Sequence, residues 1–225
     1  EINNPLFSMK TFSQLLPKRF EDEEFRTGFA EIVPVEVDRI DSIVSRLLDF
    51  ARPKKADFAP HDLCAIISDV FALVDNQIRA NDIKVKTSFP STAVTIYGDE
   101  QQLHQVFLNL VLNAVDAMEH SAEKTLSVSV EYGRTHLRPK GQSPLLEAEC
   151  VAVSFSDTGI GMAEDAIDRI FTPFFTTKDT GTGLGLSVVH GIVTDHGGQI
   201  DVNSEPQRGA TFVITLPLAN EVPVA

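Results

Sequence analysis

Two asparagines in the second half of the chain have the residue type and the spacing of metal ligands on a helix. The stretch NLVLNAVDAM places Asn109 and Asn113 four residues apart, which puts both side chains on one helix face. A neutral amide oxygen suits Mg²⁺ that phosphate groups already hold, because it adds a hard oxygen without adding negative charge. The alternative is that each amide satisfies nearby backbone groups.

A strand-like stretch ends on a carboxylate that is followed by two glycines. Asp157 opens the sequence DTGIGM directly after VAVSFS, and Gly159 and Gly161 allow a tight turn and a close approach of the backbone to a flat ligand. A buried carboxylate at this point can accept a hydrogen bond from an exocyclic amine such as that of adenine. A simple turn is the alternative for so short a pattern.

A glycine-rich stretch, GTGLGLS, opens a helical pattern, so its backbone N–H groups and the helix dipole can face phosphate oxygens. It lacks the Lys of a P-loop, which excludes a Walker A site, and no early βαβ unit precedes it, which excludes a Rossmann fingerprint. The candidate phosphate-binding residues are Gly181, Thr182, Gly183, Leu184 and Gly185.

An aromatic segment, FTPFFTTKDT, lies between the carboxylate and the glycine-rich stretch. Phe171, Phe174 and Phe175 would pin this segment to the core, and Lys178 would then stand near the phosphates. The alternative is a surface loop with a hydrophobic anchor.

Composition limits the classes of protein that could carry these residues. A net charge of −13 argues against a general nucleic-acid binder, which needs basic surface, but leaves room for a small anionic ligand. Cys64 and Cys150 lack metal-type spacing and indicate reduced thiols of a cytoplasmic protein. No apolar run approaches about 18 residues, so we expect no membrane contact in this segment, although a membrane anchor could precede Glu1 in a longer parent.

From residue 61 onward the patterns alternate between helices and strands and predict a two-layer α/β sandwich. Asp99 is a plausible N-cap of the helix that carries the two asparagines. Residues 134–148 are expected to form a solvated hairpin loop. The predicted helices are 62–81, 99–118 and 186–196, and the predicted strands are 83–89, 93–99, 125–133, 149–157, 198–204 and 210–217.

Residues 1–55 are helical in pattern and predict a separate domain, which makes the chain α+β as a whole. A heptad seam in the second half of this segment predicts a helix that packs against near-parallel neighbours, and Pro34 marks a kink or a late start of that helix. A charged connection, PKRFEDEEF, would make the segment an antiparallel hairpin, half of a dimeric four-helix bundle. Packing of the hairpin on its own C-terminal domain, 56–225, is the alternative. The seam residues are Val33, Val37, Ile40, Val44, Leu47 and Ala51, and the first helix offers Ile2, Leu6, Met9 and Leu16.

Taken together, the order and spacing of these stretches resemble the ATP-binding domain of sensor histidine kinases, a branch of the superfamily that includes gyrase, Hsp90 and MutL-type ATPases. The resemblance covers roughly residues 60–218 and extends to GATFVITLP, where the family has a Thr near the adenine, here Thr211. It implies that ATP and Mg²⁺ bind under a lid of roughly residues 163–182. Asn113 would then hold Mg²⁺ and Asp157 would select adenine.

The family also carries a phosphoacceptor His followed by Glu or Asp, two residues, Asn or Thr, and Pro. EINNP supplies Glu1, Asn4 and Pro5 in this register, so the acceptor His is expected just before Glu1. The resemblance implies that Glu1 orients the imidazole or accepts its proton, and that Asn4 can position water for dephosphorylation of a response regulator. Helix N-terminal capping is the alternative for both residues. We therefore expect the 225-residue chain to bind ATP without phosphorylating itself.

One position departs from the family pattern. Many histidine kinases have a Lys three residues after the metal-binding Asn, where this chain has Asp116. Like-charge repulsion argues against Asp116 as a phosphate ligand, and leaves Lys178 as the better candidate and His120 as a weaker one. The stretches LLDFARP and TPFFTTK are most similar to the nitrogen-regulation subgroup, whose partners are enhancer-binding response regulators. Two other functions stay open, an ATPase that uses nucleotide-driven dimerisation and a non-catalytic scaffold.

Overall fold

In a computed structural model of the chain, residues 3–51, 56–137, 146–178 and 181–219 are described. The chain divides into two compact units, Glu1–Lys55 and Ala56–Ala225. The first unit is helical, and the second is an α/β sandwich. The α+β class is therefore confirmed.

The first unit is a hairpin of two long helices, α1 (Asn3–Arg19) and α2 (Glu23–Ala51). The connection is shorter than the charged stretch suggested, because α1 continues past Pro17 and α2 begins at Glu23. Asp22 fixes that start, since its Oδ1 accepts a hydrogen bond from the Phe25 backbone N–H at 3.3 Å. Pro34 lies inside α2, so it does not mark a late start of the helix.

Aromatic side chains hold the loop end of the hairpin together. Phe12 lies 5.7 Å from Phe25 and 6.1 Å from Phe29 between ring centroids, distances at which aromatic rings attract one another. On the predicted seam, Val33 is half-buried, while Val37 is 44% exposed. The other seam positions, Ile40, Val44, Leu47 and Ala51, and also Ile2 and Leu6, lie outside the described side chains.

The second unit is built on a five-stranded mixed sheet with the strand order β2-β4-β5-β7-β6. Strand β2 is parallel to β4, and the other neighbours are antiparallel. A separate antiparallel pair joins β1 to β3. The strands are β1 (Ala59–Asp62), β2 (Lys84–Ser88), β3 (Thr95–Gly98), β4 (Thr125–Leu137), β5 (Leu146–Asp157), β6 (Gln199–Glu205) and β7 (Gly209–Pro217), and the helices are α3 (Leu63–Ala80), α4 (Glu100–Ala117), the short α5 (Glu164–Ile167) and α6 (Gly185–Asp195).

Three features of this unit differ from the predicted elements, and one of them is the short helix α5, which was not predicted. Strand β1 lies in the predicted linker and owes its strand conformation to pairing with β3, in which Ala59 faces Gly98. Strands β4 and β5 extend into the predicted loop until Leu137 pairs with Leu146, and Arg134 bonds Glu149 across the two strands at 2.9 Å. Residues 138–145 lie outside the described residues.

Alternation along β5 decides which face each residue of that strand belongs to. Val153 and Phe155 are buried, and Phe155 stacks on Phe107 of α4 with 5.7 Å between ring centroids. Since side chains alternate across a strand, Asp157 lies on this helix-covered face and Ser156 lies on the other. The carboxylate of Asp157 therefore lies at the edge of the hydrophobic core, on the same face of β5 as Val153 and Phe155.

The start of α4 is fixed by a buried network around Asp99, which is the N-cap as the sequence predicted. Its Oδ1 accepts from the Gln102 N–H at 2.9 Å, and its Oδ2 accepts from the Asp57 N–H at 2.8 Å. The Asp99 N–H donates to Nε2 of His196 at 3.0 Å, so His196 carries its proton on Nδ1, which lies 2.8 Å from the Ile192 carbonyl. Burial alone would raise the pKa of Asp99, but the backbone hydrogen bonds to its carboxyl group outweigh burial and lower that pKa.

In the described part of the chain, every helix is too short or too polar to cross a lipid bilayer.

Candidate functional site

The centre of the candidate site is the carboxyl group of Asp157, which is 7% exposed. Its Oδ1 accepts hydrogen bonds from the backbone N–H of Gly159 at 2.8 Å and of Ala210 at 3.4 Å. Burial raises the pKa of Asp157, while these two hydrogen bonds and the charge of Lys178 act in the opposite direction. Because both bonds in the described structure go to Oδ1, Oδ2 is the oxygen that a ligand can use.

The loop that follows Asp157 is tied to its surroundings on both sides. The Ile160 N–H donates to the carbonyl of Ala117 at the end of α4, at 3.0 Å. On the other side, the Gln207 N–H donates to the Ile160 carbonyl at 2.7 Å, and the Met162 N–H donates to Ser204 Oγ at 2.9 Å. The loop is therefore held in one conformation between α4 and the β6–β7 turn.

Both predicted glycines of this loop are required by space. A Cβ on Gly159 would lie 2.7 Å from the Ala117 carbonyl oxygen. Gly161 has a φ of +63°, and a Cβ there would collide with the carbonyl oxygen of Glu205. The sequence predicted that these glycines let the backbone approach a flat ligand. In the structure they let it approach the neighbouring backbone of Ala117 and Glu205 instead.

A row of polar side chains on α4 faces the glycine-rich stretch and the aromatic segment. Asn109 and Asn113 are both half-buried. The Asn109 amide oxygen lies 3.5 Å from the place of a Cβ on Gly185, at the start of α6. The Asn113 amide oxygen accepts from the Lys178 ammonium group at 3.4 Å, and Asp116 Oδ2 accepts from the same group at 2.8 Å.

The start of α6 offers backbone N–H groups. Leu184 occupies the N-cap position, and its side chain makes no capping hydrogen bond. The preceding Gly183 has a φ of +65°, and its carbonyl accepts from the Phe174 N–H at 3.0 Å, which closes the base of the segment between them. The N–H groups at an α-helix N-terminus without a side-chain cap can donate hydrogen bonds to phosphate oxygens.

The aromatic segment is anchored by two of its three phenylalanines. Phe171 and Phe175 are partly buried against the core, and the Arg169 guanidinium lies 4.4 Å from the Phe175 ring centroid. Phe174 is 60% exposed and has a φ of +66°, so the prediction that it anchors the segment is wrong.

Thr211 is not brought to Asp157. Its hydroxyl lies 2.9 Å from that of Ser156, on the face of the sheet opposite the helices. The neighbouring Ala210, which the sequence did not single out, supplies the N–H that holds Asp157. Glu1 lies outside the described residues, and Asn4 lies in the first turn of α1 with a side chain that is not described.

The donor set suits a metal ion that a ligand brings with it. Among the described residues, no group of three or more His, Cys, Asp or Glu could hold a metal ion. The Asn113 amide oxygen, however, already contacts a cationic group at 3.4 Å. Such a neutral oxygen fits Mg²⁺ whose remaining ligands are phosphate oxygens and water.

The sandwich, the Asp157 loop and the open start of α6 define an ATPase-type nucleotide-binding domain. Residues 98–220 match the model of histidine kinase-, DNA gyrase B- and HSP90-like ATPases. Residues 1–55 match the His Kinase A (phospho-acceptor) domain. The chain therefore belongs to the family of histidine kinase-, DNA gyrase B- and HSP90-like ATPases, and the two matches together identify a histidine kinase catalytic core.

Named relatives and solved structures agree with this family. The chain is 35% identical over 218 residues to the sensor histidine kinase ZraS of Escherichia coli (strain K12), covering 97% of this chain and 43% of ZraS. It therefore spans less than half the length of that relative. Full-length ShkA in complex with AMPPNP has a TM-score of 0.67 at 28% identity, covering 87% of this chain and 39% of that one. The histidine kinase ThkA in complex with the response regulator protein TrrA has a TM-score of 0.74 at 25% identity, covering 98% of this chain and 60% of that one.

Gly161→Ala tests whether the Asp157 loop is as tightly held as these contacts indicate. A left-handed conformation costs a residue with a Cβ about 1–2 kcal/mol, and the collision with Glu205 adds to this cost. We expect the free energy of unfolding, measured by urea denaturation, to fall by at least that amount.

Gly191→Ala is the matched control, because it lies within α6 and no atom lies within 4 Å of its Cβ position. Alanine there should raise stability by about 0.5–1 kcal/mol. Equal effects of the two substitutions would contradict the packing of the loop.

Proposed function

We propose that this chain is the catalytic core of a sensor histidine kinase, which transfers the γ-phosphoryl group of ATP to a histidine and then to an Asp of a response regulator. The observation that carries the proposal is the buried Asp157 carboxyl on its rigid loop. The relatives support it, since one solved neighbour holds AMPPNP and another is a complex of a kinase with a response regulator protein.

In this proposal Asp157 selects adenine. Its Oδ2 accepts a hydrogen bond from the exocyclic amine, while Gly159 and Ala210 hold Oδ1 in place. Gly161 allows the loop to pack against the Glu205 carbonyl, where a side chain would not fit. Strand β7 contributes the Ala210 backbone rather than the Thr211 hydroxyl, because that hydroxyl is engaged with Ser156 on the other face.

The triphosphate is assigned to the start of α6 and to the polar row of α4. We assign the N–H groups of residues 182–185 to its oxygens. Gly181 forms the turn before them, since its N–H donates to the Lys178 carbonyl at 3.3 Å. Asn109 borders this position beside Gly185. Asn113 would supply an amide oxygen to Mg²⁺, which when bound neutralises phosphate charge. Lys178 adds a second positive charge near the phosphates. Phosphoryl transfer depends mainly on in-line positioning and charge neutralisation, and these groups would supply the charge neutralisation.

The hairpin is assigned to dimerisation and to phosphotransfer, with residues 1–55 as one domain and 56–225 as the catalytic domain. Val37, on the predicted seam of α2, is 44% exposed, and a second hairpin would cover this apolar side chain in a four-helix bundle. The acceptor imidazole belongs to the position before Glu1. Glu1 orients it or takes its proton, and Asn4 positions water for dephosphorylation of the regulator.

The finer assignment rests on sequence alone. LLDFARP and TPFFTTK support a nitrogen-regulation-like subgroup, and with it a partner receiver domain of an enhancer-binding response regulator. A cytoplasmic location, where ATP is available, is part of the same proposal.

Asp157→Asn tests the adenine contact. The amide oxygen of Asn can accept the same two backbone hydrogen bonds, but the anionic acceptor for the exocyclic amine is lost. Hydrogen bonds to charged groups contribute about 1.5–3 kcal/mol, so ADP affinity measured by calorimetry should fall about 10- to 100-fold. Asp201→Asn, an exposed position on β6, is the control and should bind as the wild type does.

The same variant should be no less stable than the wild type at neutral pH. Since burial raises the pKa of Asp157, the wild type bears the cost of a buried anion above that pKa, and Asp157→Asn does not. The advantage of the variant should disappear as the pH falls below about 3.9, where the unfolded carboxyl is also protonated. Loss of stability at neutral pH would contradict the raised pKa.

Labelling with γ-³²P-ATP tests the complete reaction. With a histidine placed immediately before Glu1, we expect an acid-labile label on the protein, and with an alanine at that place we expect none. ATP turnover without any protein label would instead indicate an ATPase driven by nucleotide-dependent dimerisation, and absence of ATP binding would indicate a non-catalytic scaffold.

A further inference from the structure

The ammonium group of Lys178 contacts the same side chain that the proposed function assigns to the metal ion. Its Nζ lies 3.4 Å from the amide oxygen of Asn113 and 2.8 Å from Oδ2 of Asp116. Asn113 and Asp116 lie three residues apart on α4, so both oxygens point from one helix face toward one cation. The Lys178 ammonium group therefore occupies the position at Asn113 that the proposed function assigns to Mg²⁺.

The backbone of Lys178 is held in position by a local turn. Thr176 Oγ1 accepts from the Lys178 N–H at 3.1 Å, and the Gly181 N–H donates to the Lys178 carbonyl at 3.3 Å. Gly181 permits this turn, since a Cβ there would lie 2.5 Å from Thr176 Oγ1. The segment therefore presents the ammonium group to α4.

The ion pair is half open to solvent, with exposed side-chain fractions of 39% for Lys178 and 57% for Asp116. Exposed pairs of this kind are weak and reversible. The diphosphate of ADP and the triphosphate of ATP each carry more negative charge than one carboxylate, so either can take the ammonium group away from Asp116. The pair is strong enough to bias an equilibrium and weak enough to open.

We propose that Asp116 and Lys178 form a latch in the nucleotide-free chain. Asp116 holds the Lys178 ammonium against Asn113, and the latch must open before Asn113 can serve a metal ion and before Lys178 can reach the phosphates. Asp116 is thus a positioning residue that competes with the nucleotide for Lys178. This inference rests on the proposed function, and it explains why an acidic residue can stand next to a phosphate site.

The test is nucleotide affinity of the full chain, measured by calorimetry with ADP in Mg²⁺ and with ADP in EDTA. Asp116→Asn removes the competing charge and should bind Mg²⁺–ADP about two- to fivefold more tightly, as expected from the strength of an exposed ion pair. Glu119→Gln removes the same charge from the exposed position three residues on and should change nothing. Lys178→Met should weaken binding, and Asp116→Asn should add no gain in the Lys178→Met background.

A second measurement needs no nucleotide. Hydrogen exchange of residues 171–178 should become faster in Asp116→Asn, and not in Glu119→Gln, because the latch no longer holds the segment on α4.

Several results would overturn the latch. Equal or weaker ADP affinity of Asp116→Asn would do so, and a loss seen with Mg²⁺ but not with EDTA would make Asp116 a metal ligand instead. If Asp116→Asn still increases ADP affinity in the Lys178→Met background, the effect is general charge repulsion and does not depend on Lys178. If the wild type binds no ADP, the proposed function fails, and the latch is then decided by hydrogen exchange, where unchanged exchange in Asp116→Asn overturns it.

Discussion

The burial of the Asp157 carboxyl group is the constraint on which much of the second unit depends. A buried carboxylate is costly unless hydrogen bonds compensate for lost water, and here Gly159 and Ala210 supply them to one oxygen. To reach Asp157, the loop passes so close to α4 and to the β6–β7 turn that Gly159 and Gly161 have no room for a side chain. The other oxygen is the one to which the proposed function assigns the contact with adenine.

Helix α4 fixes the positions of the other polar groups of the candidate site, Asn109 and Asn113. Its buried face, through Leu103, Phe107 and Leu110, sets its rotation against the sheet, and Asp99 sets its start. Asn109 and Asn113 therefore meet different neighbours, the first at Gly185 and the second at Lys178. One rigid helix thus lies beside both the proposed phosphate site and the segment proposed to close over it.

Local signals in the sequence were sufficient for most elements and for the outline of the site. The Asp99 cap and the shared face of the asparagines follow from neighbouring residues. Pairing between distant segments was not predictable in this way, since β1 forms only because β3 lies beside it. Thr211 shows how much one position matters in a strand, where a shift by one residue exchanges the two faces. The contact of Lys178 with Asp116 joins residues 62 positions apart, and no local pattern announces it.

The most direct test of the account is hydrogen exchange of the whole chain with and without Mg²⁺ and ADP, at saturating nucleotide. We predict slower exchange of the backbone amides in residues 157–162 and 181–188, where the adenine and the phosphates are assigned. Strand β2 lies at the far edge of the sheet and should not change. Protection confined to the hairpin or to the sheet edges, with unchanged exchange around Asp157, would contradict the central claim that this carboxyl is the nucleotide-recognition group.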